Sequence, residues 1–270
     1  MGKVALITGA SSGIGKELAR IHASEGGDLI LVARRKEKLE ALKNELEQQY
    51  MVHVIVMAKD LTDPAVPGEI FKHITKHNIH VDYLINNAGF GGHGIFHERS
   101  LEKHLEMIQV NITALTALTH YFIPHMIANG RGRIMNVSST AAFLPGPLQA
   151  VYYASKSYVK LLGEALHNEL RDTNISVTTL CPGATSTEFA STGDLENTAV
   201  FQGKTRSASS VAEYGYRAMK KGKRVVINEP LLRFVLNYLL PLFPRSWVIR
   251  VSRMTMEQTG KDIKTARHVA

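Results

Sequence analysis

The stretch from Lys3 to Gly15, KVALITGASSGIG, limits what this chain can fold into more than any other. An apolar run from Val4 to Ile7 stops at Thr8, glycines follow at Gly9, Gly13 and Gly15, and Lys16 to Ala19 suits a helix. The order is strand, tight turn, helix. Gly9 permits the turn, Gly13 lets backbone N–H groups approach a diphosphate, and Gly15 allows the helix to pack closely on the strand. With Ser11, Ser12 and Ile14 between them, these glycines form the predicted phosphate-binding turn, to which the helix start adds unpaired N–H donors and a partial positive charge. A glycine-rich loop that merely turns the chain is the plainer alternative. The strand-to-helix context weighs against it.

Strands and helices alternate beyond this point. Asp28–Ala33 (DLILVA) is an unbroken apolar run, as a strand buried on both faces requires. Further strands are predicted over residues 53–57, 81–85, 132–138, 176–180 and 224–228. Helices are predicted over 36–49, where Leu39, Leu42 and Leu46 recur at helical spacing, and over 100–129 and 152–172. The pattern implies a single-domain, Rossmann-like, doubly wound parallel sheet of about seven strands with helices on both faces. Residues 1–229 form the expected dinucleotide-binding unit. Residues 230–270 form a basic, apolar, helical extension, either part of that domain or an oligomer interface.

Charge and cysteine content narrow the setting. Residues 204–270 carry 14 Lys/Arg against 4 Asp/Glu, so the net charge of +8 resides in the tail and the first 203 residues are near −2. Basic residues interleaved with aromatics across the main surface are not seen, which argues against nucleic acid. A first strand starting at residue 3 leaves no room for a signal peptide, Leu6 stands where a myristoylation motif wants Ser or Thr, and the single Cys181 cannot form an internal disulfide. A reducing, cytoplasmic setting is expected. The apolar tail from Leu231 to Val251 is broken by Arg233, Pro241, Pro244, Arg245 and Arg250, too short to span a bilayer that needs ~20 residues. Packing against a second subunit is the favoured reading, and lying on a membrane surface the alternative.

The second strand ends in Ala33, about where an acid would bind the adenosine ribose, and Arg34-Arg35 follow. A guanidinium at Arg34 suits a 2′-phosphate, with Ser11 and Ser12 as extra donors, so NADP(H) is expected over NAD(H). A surface role for Arg34 beside Glu37 is the plainer alternative. Asp60, ahead of Leu61 at the end of the third strand, is placed to meet the adenine amino group, or else to cap the next helix. Asn87, Ala88 and Gly89 end the fourth strand, where ligands bind in open α/β sheets. Tyr152 and Lys156 lie four apart on one helix, so an ammonium stands near a phenol and would lower its pKa. Tyr152 then exchanges a proton with a carbonyl or alcohol oxygen that Ser139 holds in place. Asn111, inside an apolar helix, bends that helix or holds a water.

These pieces, in this order, resemble the short-chain dehydrogenase/reductase family from Lys3 to about Asn228. They are Thr8 to Gly15, Asn86-Asn87-Ala88-Gly89, Asn111, Ser138-Ser139, Tyr152-Tyr153-Ala154-Ser155-Lys156, and Pro182-Gly183 ahead of Thr187. The family's spacing selects Ser139 over Ser138 and Tyr152 over Tyr153. The resemblance implies a tetrad of Asn111, Ser139, Tyr152 and Lys156, with Lys156 also on the nicotinamide ribose and Asn111 holding a relay water. It further implies that Pro182 and Gly183 bind the cofactor, that Thr187 meets the nicotinamide carboxamide or the diphosphate, and that the enzyme is a homodimer or homotetramer. Ser12 departs from the basic residue that NADP(H)-selecting members often carry before the second glycine. The expected activity is NADP(H)-linked transfer of a hydride to or from a carbonyl or secondary alcohol. A membrane-surface lipid or steroid reductase and a non-catalytic dinucleotide sensor are the rivals.

Weaker signals complete the reading. His73/His77 and His93/His97 pairs lack further ligands at zinc spacing, so no metal is expected. Residues 188–206 read as a lid. Phe90, Phe96, Phe143, Leu144 and Tyr153 either line an apolar substrate pocket or serve as core. Cys181 is expected to be buried and inert.

Overall fold

The computed structural model describes residues 2–258; the last part of the predicted extension, 259–270, lies outside the described residues. The first half of the chain runs β1 (Val4–Thr8), α1 (Gly13–Ser24), β2 (Asp28–Ala33), α2 (Lys36–Tyr50), β3 (Val54–Ala58), α3 (Val66–Lys76) and β4 (Val81–Asn86). The second half runs α4 (Leu101–Ile108), α5 (Leu115–Ala128), β5 (Gly132–Val137), α6 (Ala150–Glu169) and β6 (Ile175–Leu180). Short β7 (Thr185–Ser186) and β8 (Arg206–Ser207) pair with each other around α7 (Phe189–Thr192) and α8 (Ala199–Gln202). Then come α9 (Ala208–Lys220), β9 (Val225–Val226), α10 (Pro230–Phe234) and α11 (Arg245–Met256).

Seven strands pair in parallel in the order β3-β2-β1-β4-β5-β6-β9. Because β1 pairs with both β2 and β4, strand order reverses there, and the carboxyl ends of β1 and β4 flank the crevice of an open α/β sheet. Period-two alternation in β1 sends Ala5 and Ile7 to the face covered by Leu18 of α1, Leu42 of α2 and Tyr216 of α9. It sends Leu6 to the face covered by Ile70 of α3 and Leu118 and Phe122 of α5. A strand sandwiched in this way has no solvent side. Leu29, Ile30, Leu31 and Val32 are accordingly all buried, each adding roughly 2 kcal/mol over an exposed position.

Element boundaries differ from the sequence reading in ways that hydrogen bonding explains. The third strand begins at Val54, one residue after the predicted start, and the His53 N–H before it meets the Asp28 carboxylate at 2.8 Å. The last strand keeps only Val225 and Val226, the two residues that pair with Thr179 and Leu180. The helical segment predicted over 100–129 contains a π turn at Gln109–Ala114, centred on Asn111. Residues 188–206, read as a lid, hold the two short helices α7 and α8.

Candidate active site

A cleft of about 650 Å³ opens at the carboxyl ends of the strands, running from Arg34 and Asp60 at one end past Gly9 and Tyr152 to Met256 at the other. The glycine turn forms its floor. Gly9 and Gly13 have φ of +66° and +55°, which L side chains rarely adopt. A Cβ on Gly9 would also lie 2.8 Å from Asn87 Nδ2, and one on Gly15 would strike the Gly9 carbonyl. Ser11, Ser12 and Ile14 line the same floor.

Thr8 and Asn87 clasp this turn to the β4 loop. The Thr8 hydroxyl accepts from the Asn87 and Ala88 N–H groups, both at 3.0 Å, while Asn87 Nδ2 donates to the carbonyls of Thr8 (3.0 Å) and Gly9 (3.2 Å). The Asn87 amide therefore braces the two loops, and Thr8, absent from the predicted site, is its partner. The signal was Thr8 itself, a hydroxyl ending an apolar strand.

At the Arg34 end the structure adds a residue that the sequence reading passed over. Arg34 lies 4.0 Å from the Asp60 carboxylate, and both side chains are largely exposed. Arg35 instead reaches the serines of the turn, donating to Ser11 Oγ at 3.0 Å and Ser12 Oγ at 2.9 Å. Its other nitrogen meets Glu188 at 2.7 Å, and Lys38 meets the same carboxylate at 2.6 Å. Those two cations hold the Glu188 carboxyl down at about 2. Asp60 caps no helix: it accepts from the Thr62 N–H at 3.0 Å, forming a turn, and α3 starts only at Val66. Leu61 is buried in the cleft wall.

The reacting end is built from β5, the π turn and α6. Tyr152 is buried and its hydroxyl lies near Ser139, whose Oγ accepts from the Ala141 N–H at 3.1 Å. Lys156 Nζ donates to the Val137 carbonyl at 3.0 Å and lies 5.7 Å from the centre of the Tyr152 ring. A Cβ on Gly89 would fall 3.0 Å from Asn111 Oδ1 and 3.2 Å from Lys156 Nζ, so a bare backbone lets all three meet. Ser138 turns the other way and ties β5 to α6, donating to the Lys156 carbonyl at 2.7 Å.

Electrostatics here differ from the expectation that Lys156 lowers the phenol. Burial dominates and pushes Tyr152 well above its ordinary range, with the Ser139 hydrogen bond opposing. Burial also brings the Lys156 ammonium down to about 8. Asn111 holds main chain: Oδ1 accepts from the Phe90 N–H at 3.1 Å, and Nδ2 donates to the Phe90 carbonyl and to Ser155 Oγ, each at 3.0 Å. Both amide hydrogens are thus used by the protein. The amide thereby ties the π turn to the loop after β4.

Thr187 rests its methyl group over Gly13, at 3.0 Å from where a Cβ would sit. The Pro182 carbonyl accepts from the Thr140 N–H at 2.9 Å, and Gly183 lines the cleft beside Glu229. Phe90, Leu144 and Tyr153 also line the cleft, joined by Phe189, Phe201 and Met256. Phe96 is exposed and stacks on His104, and Phe143 lies under Lys160, so neither belongs to the lining. His93 binds the Met256 carbonyl at 2.7 Å and so braces the extension. Among the described residues no group of three His, Cys, Asp or Glu side chains is arranged to hold a metal. Cys181 is buried, and burial pushes its thiol up to about 12, which leaves it unreactive.

A family model described as short chain dehydrogenase matches residues 3–197. The chain belongs to the short-chain dehydrogenase/reductase family. It is therefore an oxidoreductase acting on alcohol or carbonyl groups through a nicotinamide cofactor. Dehydrogenase/reductase SDR family member 7B of Rattus norvegicus is 31% identical over 271 residues, covering 96% of this chain and 83% of its own. A short-chain dehydrogenase from Sphingobium yanoikuyae, solved in complex with NADPH, superposes with a TM-score of 0.81 at 31% identity, covering 88% of this chain and 91% of that one. A family member from Burkholderia phymatum, solved in complex with NAD, gives 0.79 at 25% identity and covers 95% and 97%. The dehydrogenase cleft fits a dinucleotide on its own geometry: the turn that a Cβ on Gly9 or Gly15 would block offers N–H groups of the α1 start to a diphosphate.

Proposed function

We propose that this dehydrogenase is an NADP(H)-dependent carbonyl reductase or secondary alcohol dehydrogenase in which Tyr152 is the general acid and base. The observation that carries the reading is that Ser139, Tyr152 and Lys156 line one cleft with the glycine turn, with Lys156 Nζ 5.7 Å from the centre of the Tyr152 ring. The nicotinamide supplies the hydride, and everything else is done by side chains. Ser139 holds the substrate oxygen against Tyr152, which gives it a proton in reduction or takes one in oxidation. Lys156 carries positive charge next to the phenol and hydroxyl-binding capacity toward the ribose. Asn111 acts as a positioning residue through Phe90 and Ser155.

Preference for NADP(H) is supported by Arg34 and Arg35 at the end of β2, whose last residue is Ala33 rather than the acid that binds an adenosine ribose. Asp60, Leu61, Asn87, Ala88, Gly89 and Thr187 complete the cofactor side. The apolar lining near Tyr152, chiefly Phe90, Leu144, Phe189 and Met256, favours an apolar carbonyl. We further propose a cytoplasmic homo-oligomer. Its support is that α4 and α6 pack against each other and expose Leu101, Leu105 and Leu161.

The test follows NADPH and NADH oxidation side by side across a panel of aldehydes and ketones. Turnover with NADPH that the Tyr152→Phe variant lacks, while still binding NADPH, is expected. Equal turnover by that variant overturns the assignment of Tyr152.

A further inference from the structure

The C-terminal segments carry an exposed apolar surface that the catalytic reading leaves unused. Along α10 and the turns that continue it, Leu231, Phe234, Tyr238 and Leu242 recur at helical spacing and point outward, with Leu231 and Leu242 at 77% and 78% exposure. Phe243, Trp247, Val251 and Met254 continue the surface along α11. The rings of Phe243 and Trp247 stack at 4.7 Å, and Trp247 remains 48% exposed. A soluble monomer rarely exposes so many large apolar side chains together.

Charge decides what covers this surface. Between Pro230 and Met256 there are four arginines and no acidic residue. Arg253 pairs with Glu257, whereas Arg233, Arg245 and Arg250 are exposed and make no ion pair among the described residues. A second copy docked symmetrically through the same segment would bring the same arginines against one another with no acid between Pro230 and Met256 to meet them. The chain's own residues 259–270 hold Lys261, Lys264 and Arg267 against Asp262, again the same sign, and little apolar bulk beyond Ile263 and Val269. Aromatic rings, aliphatic side chains and unpaired guanidinium groups exposed along the same segments match the boundary of an anionic bilayer.

We propose that this face docks the enzyme onto an anionic lipid surface, with the side chains of α10 and α11 entering the headgroup region and no helix crossing it. Among the described residues no helix is long and apolar enough to cross a membrane. The same segments wall the cleft from the inside through Leu232, Thr255 and Met256, so docking sets one wall of the substrate cavity against the bilayer. The inference goes beyond the proposed reaction and does not depend on it.

Trp247 is the chain's single tryptophan and reports directly on the face. The full-length enzyme is titrated with vesicles of phosphatidylcholine alone or of phosphatidylcholine mixed with phosphatidylglycerol, following tryptophan emission and co-sedimentation. The mixed vesicles are expected to shift emission to shorter wavelength and pull the enzyme into the pellet, and high salt to release it. Replacing Arg233, Arg245 and Arg250 with Gln is expected to weaken partition about fivefold for each arginine lost. Leu231→Ser with Leu242→Ser is expected to abolish the emission shift, while turnover of a water-soluble carbonyl stays unchanged and marks the variant as folded. An unshifted wild-type emission with the enzyme in the supernatant overturns the proposal. So does a Leu231/Leu242 variant that partitions like wild type, or one that instead falls from dimer to monomer in sedimentation velocity, which would make the face a subunit interface. Loss of partition on deleting 259–270 alone would move the lipid contact to the tail and overturn it as well. Failure of the reductase reading would appear separately, as no NADPH turnover by an enzyme that still binds vesicles.

Discussion

Tyr152 and Lys156 are both buried, and burial moves the pKa of each away from its ordinary value. For Tyr152 this keeps a proton on the phenol, which the proposed reduction would draw on. Tyr152→Phe should lower turnover by about 10²–10⁴ while leaving the NADPH dissociation constant within a factor of about two, as fluorescence titration would measure. For Lys156 the consequence is energetic. Its folded pKa of about 8 lies below the unfolded value, so the folded state binds fewer protons between the two. The buried ammonium therefore costs stability at and below pH 8, and the cost is relieved as pH rises from about 8 toward the unfolded value. Lys156→Met should abolish activity yet raise unfolding free energy by about 2 kcal/mol at pH 7, in urea titrations. That advantage should shrink when both proteins are compared at pH 10. A variant less stable than wild type at pH 7 would mean that the bond to Val137 outweighs desolvation. The four side chains of the proposed centre were named from the sequence through its resemblance to the dehydrogenase family, which implies Asn111, Ser139, Tyr152 and Lys156 together. What Asn111 and Arg35 touch was not legible there, since those partners, Phe90 and Ser12, are set by tertiary packing.

The π turn between α4 and α5 is where one element serves the site most directly. An extra residue in the turn swings Asn111 out of the helix ladder toward Phe90, whose N–H and C=O would otherwise be left unpaired beside the cleft. Asn111→Leu removes all three hydrogen bonds and leaves those main-chain groups buried. It should cost about 2–4 kcal/mol in stability and raise hydrogen exchange in the β4 loop around Phe90, leaving the α1 amides unchanged. Unchanged exchange at that loop would remove the positioning role. Long elements with two-sided burial, such as β2 and α6, could be read from apolar runs and helical spacing. Two-residue strands such as β7 and β8 could not, and β9 was read too long, over 224–228. They carry no periodicity, and they exist because a neighbouring strand edge, Thr179 and Leu180 for β9, offers free carbonyl and N–H groups.

At the scale of the molecule, the reversal of strand order at β1 and β4 brings together segments far apart in sequence, and cofactor binding should report on that arrangement as a unit. Arg34 and Arg35 at the end of β2, Ser11 and Ser12 in the turn, and Glu188 at the start of α7 all face one end of the cleft. A 2′-phosphate arriving there would compete with Glu188 for Arg35, exchanging one anion for another on the same guanidinium. Because a ligand stabilises only the state that binds it, NADPH at 100 times its dissociation constant should add about 2.7 kcal/mol. For a chain of this size that is a rise of roughly 5–10 °C in melting temperature. NADH at the same concentration should give less. Arg35→Ala should erase most of the difference between the two cofactors, weakening NADPH about 10–100-fold and NADH little. Glu188→Gln should do the opposite, since it removes the competing carboxylate and leaves Arg35 free for phosphate. If Arg35→Ala lowered the NADPH and NADH shifts equally, the guanidinium would be a brace for the serine turn and the cofactor preference would have to rest on Arg34.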